Sequence, residues 1–214
     1  MLAKVKGCIL LLPLTIPIGW GSFFIAKKIM TKPYLLVAMP QLTDPNFNRT
    51  VVLVASHSQE GAFGLVLNRP AEVKLGKLEI SNLKIHEALQ NTTVWFGGPC
   101  SPERIWLLHR KDTIQKEGEI VLGRGLVLSS SSEWLEAKDG PPKLEPDQFH
   151  LFSGHAEWTS RQLDKEIQYS SWLTAPLDPE VIFATPPEKM WEQVIRRIGI
   201  NPHQLATETS QELH

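Results

Sequence analysis

The chain reads as one α+β domain, with a mixed, largely antiparallel β-sheet and flanking helices, on three observations. Two apolar runs, residues 50–56 and 62–68, are separated by the turn Ser58-Gln59-Glu60-Gly61, the arrangement of an antiparallel hairpin. Strand and helix patterns are interspersed without the regular βαβ alternation of a parallel sheet. The 214 residues, 42% of them apolar, suit one core rather than several.

Taken in order, residues 34–39 (YLLVAM) form a first strand, and Asp44-Pro45-Asn46 is a turn in which proline presets φ. Residues 50–56 are so continuously apolar and β-branched that they predict a central strand covered on both faces. Residues 62–68 are its hairpin partner. After Pro70 the spacing of Leu75, Leu78, Leu83 and Ala88 predicts a helical stretch. Residues 93–96 then return to a strand and run into Gly97-Gly98-Pro99, with further strands at 105–109, 119–122, 126–128 and 149–152. Capping boxes at Thr159/Gln162 and Thr185/Glu188 open two helices, the second with Pro186 at its first position. That last helix buries Trp191, Val194, Ile195 and Ile198 and stops at Gly199. The domain therefore covers residues 30–206 and leaves a polar tail at 207–214.

Residues 1–29 stand apart. Residues 7–26 carry no charge, and twenty helical residues would reach about 30 Å, the thickness of a bilayer core. Lysines flank the segment on both sides and Pro13 and Pro17 weaken it as a helix, so the segment reads three ways: an over-extended start, a membrane anchor or a signal segment. The first predicts a cytoplasmic protein, and the second one anchored to the membrane through residues 7–26.

Charge and motifs exclude several activities. The formal charge is -1, but Lys4, Lys6, Lys27 and Lys28 all precede the domain, which leaves 18 basic against 23 acidic residues, or -5. A domain that acidic argues against nucleic acid as the partner. Two cysteines, Cys8 and Cys100, make neither a disulfide framework nor a zinc spacing. His86-Glu87-Ala88-Leu89-Gln90 ends in glutamine where a zinc-protease helix needs a second histidine. Gly123-Arg124-Gly125 lacks the third glycine of a dinucleotide loop, and neither a phosphate loop nor a Gly-x-Ser-x-Gly elbow occurs. His155-Ala156-Glu157 resembles half of a zinc-deaminase signature, but no Cys-x-x-Cys completes it. No metal site, cofactor or catalytic set is expected from spacing alone.

A looser group of candidate ligand-binding residues is left. Asp44, Asn46 and Arg49 occupy the first turn, His57 and Asn68 stand at strand ends, and Gly97 and Gly98 offer backbone N–H groups. If they meet at one sheet edge, Arg49 and the glycine turn could hold an anion or carbonyl, with His57 titrating near neutral pH. The plain alternative is structural: Asp44 pairs with Arg49, Asn68 caps a strand end and His57 bonds to backbone. Cys100 and His109 read more simply as a small residue near a turn and a satisfied histidine. The serines at 129–132 read as caps of a helical stretch starting at Glu133 and Trp134.

Several separated motifs resemble the YqgE/AlgH family of bacterial proteins: Ala38-Met39-Pro40, Asp44-Pro45-Asn46-Phe47 with Arg49, Asn68-Arg69-Pro70, Gly97-Gly98-Pro99, Gln162-Leu163 and Trp172-Leu173 among them. The resemblance runs from Tyr34 to about Ile200. It implies a compact α+β domain with no established reaction, in a family whose members are labelled transcriptional regulators although no helix-turn-helix is recognised. The chain departs from the pattern at 154–163, where a tyrosine and two glycines of the family are replaced, and at Cys100. The expectation is a non-catalytic protein that acts through a protein or small-molecule partner, with an indirect regulatory role. A transcriptional regulator acting on DNA and a small-molecule or nucleotide-binding enzyme are the alternatives.

Overall fold

The computed structural model describes residues 32–78, 85–110, 118–130, 147–202 and 205. Ten strands form one curled sheet: β1 (Tyr34–Ala38), β2 (Val51–Ser58), β3 (Gly61–Val66), β4 (Pro70–Lys74), β5 (Thr93–Phe96), β6 (Cys100–Arg110), β7 (Glu119–Gly123), β8 (Leu126–Ser129), β9 (Phe149–Thr159) and β10 (Trp172–Pro176). Their spatial order is β10-β1-β2-β3-β9-β6-β8-β7, with β5 beside the first half of β9 and β4 paired to β5. Pairing is antiparallel except between β5 and β9. Among the described residues the α-helices are α1 (Gln162–Gln168), α2 (Pro179–Ala184) and α3 (Pro187–Arg197).

The apolar run in β2 serves two cores, as an unbroken run must when both faces are covered. Val51, Leu53 and Ala55 face α2 and α3 in a layer with Trp106, Phe152, Val181, Trp191 and Ile195. Val52 and Val54 face α1 and the first turn, in a layer with Phe47, Trp158, Leu163 and Trp172. At the centre of the second layer lies a buried carboxylate, Glu166, which accepts from Trp158 Nε1, Trp172 Nε1 and Gln162 Nε2, each at 2.9 Å. Every donor around it is satisfied, which is what allows a carboxylate to sit there.

Several sequence expectations need correction. The stretch after Pro70 opens with the strand β4, and its apolar residues serve two short 3₁₀ turns, Leu75–Lys77 and Glu87–Leu89. Leu75 enters a satellite core with Leu89, Val94, Leu107 and Leu151 and Leu78 packs against it, so their i, i+3 spacing reads as helical although a 3₁₀ turn carries it. His86 caps the second turn, its Nδ1 accepting from Ala88 N at 3.2 Å. Leu83, the stretch at Glu133 and Trp134, residues 1–29 and the tail from 207 lie outside the described residues. Among the described residues no helix is long and apolar enough to cross a membrane.

The capping boxes mark both helices but not their caps. Gln162 Oε1 reaches back to Thr159 N at 3.1 Å, yet Arg161, at φ 56°, intervenes and α1 starts at Gln162. Thr185 is buried, its hydroxyl has no hydrogen-bond partner among the described residues, and it does not cap α3, whose N-cap is Pro186 and first helical residue Pro187. The C-terminus of α3 is as expected: Gly199, at φ 82°, donates to Arg196 O and Ile200 to Ile195 O. Helix α2, capped by Asp178, and strand β10 were not expected from the sequence.

Candidate functional site

Asp44 builds the first turn. Its Oδ1 accepts from Asn46 N at 2.8 Å and its carbonyl from Phe47 N at 3.0 Å and Asn48 N at 2.7 Å. Asp44 and Asn46 thus shape the backbone that ends at Arg49, an exposed residue held at φ 52°. A non-glycine residue in that region costs about 1–2 kcal/mol, so neighbours must impose it. Asn68 does so, donating from Nδ2 to Arg49 O at 3.0 Å and accepting at Oδ1 from Val51 N at 2.9 Å. Arg69 secures the preceding residue, with Nη2 donating to Asn48 O at 2.8 Å.

Arg49 is thereby aimed at the last helix. Its guanidinium carbon lies 4.8 Å from the ring centre of Trp191, a cation–π contact. Trp191 is itself fixed by its Nε1, which donates to Ala38 O at 2.8 Å. Arg49, Asn68 and Arg69 form one wall of an open cleft of about 350 Å³, and Glu188, Trp191 and Glu192 of α3 form the other. Glu192 is drawn toward Arg196, 3.1 Å away, whereas Arg49 makes no ion pair among the described residues. The cleft therefore presents a guanidinium with its donor fork uncommitted, stacked on an indole and flanked by an amide.

The other candidates lie elsewhere. His57 sits toward the opposite end of β2, eight residues from Arg49 or roughly 25 Å along an extended strand. Tyr34 Oη lies 2.9 Å from His57 Nδ1, and His57 Nε2 lies 3.2 Å from Asp164 Oδ1. Burial, and then the charge of Asp164, push the Tyr34 phenol up to about 12. Gly97 and Gly98 are buried between β3 and β9, where Gly97 N donates to Ser153 O and Gly97 O accepts from Val66 N, both at 2.8 Å. A Cβ on Gly98 would stand 2.2 Å from His155 C. The glycine turn is thus a packing joint whose backbone is spent inside the sheet.

Two groupings escaped the sequence reading. Arg69 and Trp191 complete the cleft; Asn68-Arg69-Pro70 had stood out as a motif, and Trp191 as core alone. The second grouping is Cys100 with His155 and Glu157. Cys100 pairs across the strands with His155, and Glu157 follows two residues on, on the same face of β9. The three donors lie within 4.8 Å of one another. Glu157 Oε2 is 3.8 Å from His155 Nε2, and the imidazole N–H directed at it holds the carboxyl below its usual range against the opposing effect of partial burial. Spacing around His155 assembles no zinc set because the third donor comes from another strand.

The comparisons with known proteins agree with the architecture. The AlgH-like family model matches residues 35–203. A UPF0301 protein of Anaeromyxobacter dehalogenans is 39% identical over 177 residues, covering 79% of this chain and 89% of its own. One from Myxococcus xanthus is 41% identical over 175 residues, covering 81% and 93%. The solution structure of AlgH from Pseudomonas aeruginosa superposes with a TM-score of 0.65 at 33% identity, over 82% of this chain and 92% of that one. A Corynebacterium diphtheriae crystal structure, at 23% identity and a TM-score of 0.61, shares the fold over the same shares of the two chains. With the family model spanning nearly the whole described domain, the chain belongs to the AlgH-like, or YqgE/AlgH, family of uncharacterised UPF0301 proteins.

Proposed function

We propose that this protein is a non-catalytic binding protein whose Arg49 cleft takes the carboxylate or phosphate group of a small molecule, and that any regulatory role is exercised through that binding. The observation that carries the reading is Arg49 itself: exposed, held in a left-handed backbone conformation by Asn68, and stacked on a fixed Trp191. Strain that neighbours impose on a surface cation is a mark of preorganisation. A planar fork against an indole suits a planar or tetrahedral oxyanion. The volume of about 350 Å³ falls at the small end of ligand pockets. Among the described residues the cleft is lined by no histidine, His57 lying toward the far end of β2, and its acidic groups are Glu188 and Glu192 of α3. Direct DNA binding is disfavoured by the charge of the domain.

Native mass spectrometry of the full chain, purified gently from cells, tests this reading. A discrete excess mass that is lost on unfolding and absent from a folded Arg49→Ala variant is expected. Equal excess mass in both proteins, or a bare mass in both, would overturn it. Asn68→Asp keeps the acceptor for Val51 N but loses the donor to Arg49 O, and should retain the ligand more weakly than the parent.

A further inference from the structure

We propose that Cys100, His155 and Glu157 form a binding site for a thiophilic divalent cation of the zinc class, with a fourth position open to solvent or a ligand. This site is separate from the Arg49 cleft and does not depend on that reading. One thiol, one imidazole and one carboxylate are brought within 4.8 Å of one another by a cross-strand pair and an i, i+2 repeat. Both are rigid relationships inside a sheet, so the donors are positioned by backbone pairing rather than by flexible loops.

The donor set selects the metal. Thiolate and imidazole favour zinc-like ions over magnesium or calcium, which take oxygen ligands. Three protein ligands also leave tetrahedral zinc one position short, as in sites that bind a further ligand. Cys100 and His155 are buried, at 3% and 8% exposure, while the Glu157 side chain reaches solvent, so the trio has a dry floor and an open mouth.

The imidazole adds an independent sign. His155 Nδ1 is buried with no hydrogen-bond partner among the described residues. A buried orphan polar atom of this kind is costly to the fold and calls for an explanation. The ring is packed instead by Phe63, 5.0 Å away, and edge-on by Trp106, 5.9 Å away. Neither ring contact occupies Nδ1, so that nitrogen can turn to a cation without losing a hydrogen bond of its own.

Cobalt(II) is the probe, added to the full chain in a Cys8→Ser background so that Cys100 is its one thiol. One equivalent should give tetrahedral d–d bands and a thiolate-to-cobalt charge-transfer band, both abolished by equimolar zinc. Cys100→Ser should lose the charge-transfer band. Glu157→Gln alters an exposed side chain, so it should stay folded by circular dichroism and bind cobalt about tenfold more weakly, or worse. His155→Gln should lose the tetrahedral bands; because this ring is packed in the core, Glu157→Gln is the variant that keeps the test decisive if His155→Gln does not fold. Absence of the charge-transfer band in the Cys8→Ser protein would overturn the site. So would unchanged cobalt affinity in Glu157→Gln.

Discussion

Trp158 and Trp172 donate their indole N–H groups to the same oxygen of Glu166, each at 2.9 Å. One residue comes from the end of β9 and the other from the start of β10, and α1, which carries Glu166, connects them. The three side chains tie the return of the chain to the sheet, and Phe47 of the first turn packs on both indoles, with ring centres 6.3 and 5.7 Å away. The turn that ends at Arg49 is therefore seated on this joint.

Removing the acceptor should be severe. Glu166→Ala leaves two buried indole donors without a partner and is expected to cost about 2–4 kcal/mol in urea denaturation. Glu166→Gln keeps an oxygen for the indoles but sets its amide against the amide of Gln162, and should cost less than the alanine change. An alanine variant as stable as the parent would show that the joint contributes nothing.

Gly98→Ala should disrupt the sheet itself. The new methyl would meet His155 C at 2.2 Å, His155 O at 2.3 Å and Ala156 N at 2.4 Å, at a backbone φ of 150° that side chains rarely adopt. Backbone atoms of a central strand cannot give way as a side chain could. The expected loss is about 3 kcal/mol or more, read as a lower urea midpoint with cobalt binding weakened in parallel, since His155 is the residue struck. A variant that matches the parent in both readouts would mean that the joint opens easily.

Alkaline stability should depend on Tyr34. Its phenol is held at about 12 in the folded chain against 10 for the free side chain, so between those values the unfolded chain gives up a proton that the folded chain keeps. The contribution is present in full below pH 10 and is lost as pH rises from 10 toward 12. Because the ring is only half-buried, solvent screening reduces the effect to about 1 kcal/mol. Denaturation midpoints at pH 9 and 11.5 should fall more in the parent than in Tyr34→Phe. Parallel falls would place the alkaline sensitivity elsewhere.

Much of the scaffold was legible because it is local. The hairpin of β2 and β3 follows from two apolar runs and a glycine turn four residues long, and the burial of β2 on both faces follows from its lack of polar alternation. The stop of α3 at Gly199 is a short-range signal of the same kind. The placement of Asn68 at a strand end was also readable. Its consequence, a pinned and strained Arg49, was not, because the sequence carries no mark of the φ that a tertiary hydrogen bond imposes.

What tertiary structure alone decided was which distant segments meet. β10 pairs with β1 at Trp172 and Ala38, β5 enters parallel beside β9, Cys100 lands opposite His155, and Arg49 lies over Trp191. His57 and Arg49 are kept apart by the length of β2, since Arg49 ends the turn that precedes the strand and His57 lies near its far end. By itself the sequence determined the α+β class, the antiparallel hairpin and the apolar faces, since propensity, turn chemistry and hydrophobic period act over a few residues. Strand order and register are chosen by the whole core at once, through which faces can be buried together. Both the Arg49 cleft and the Cys100–His155–Glu157 trio are products of that global choice.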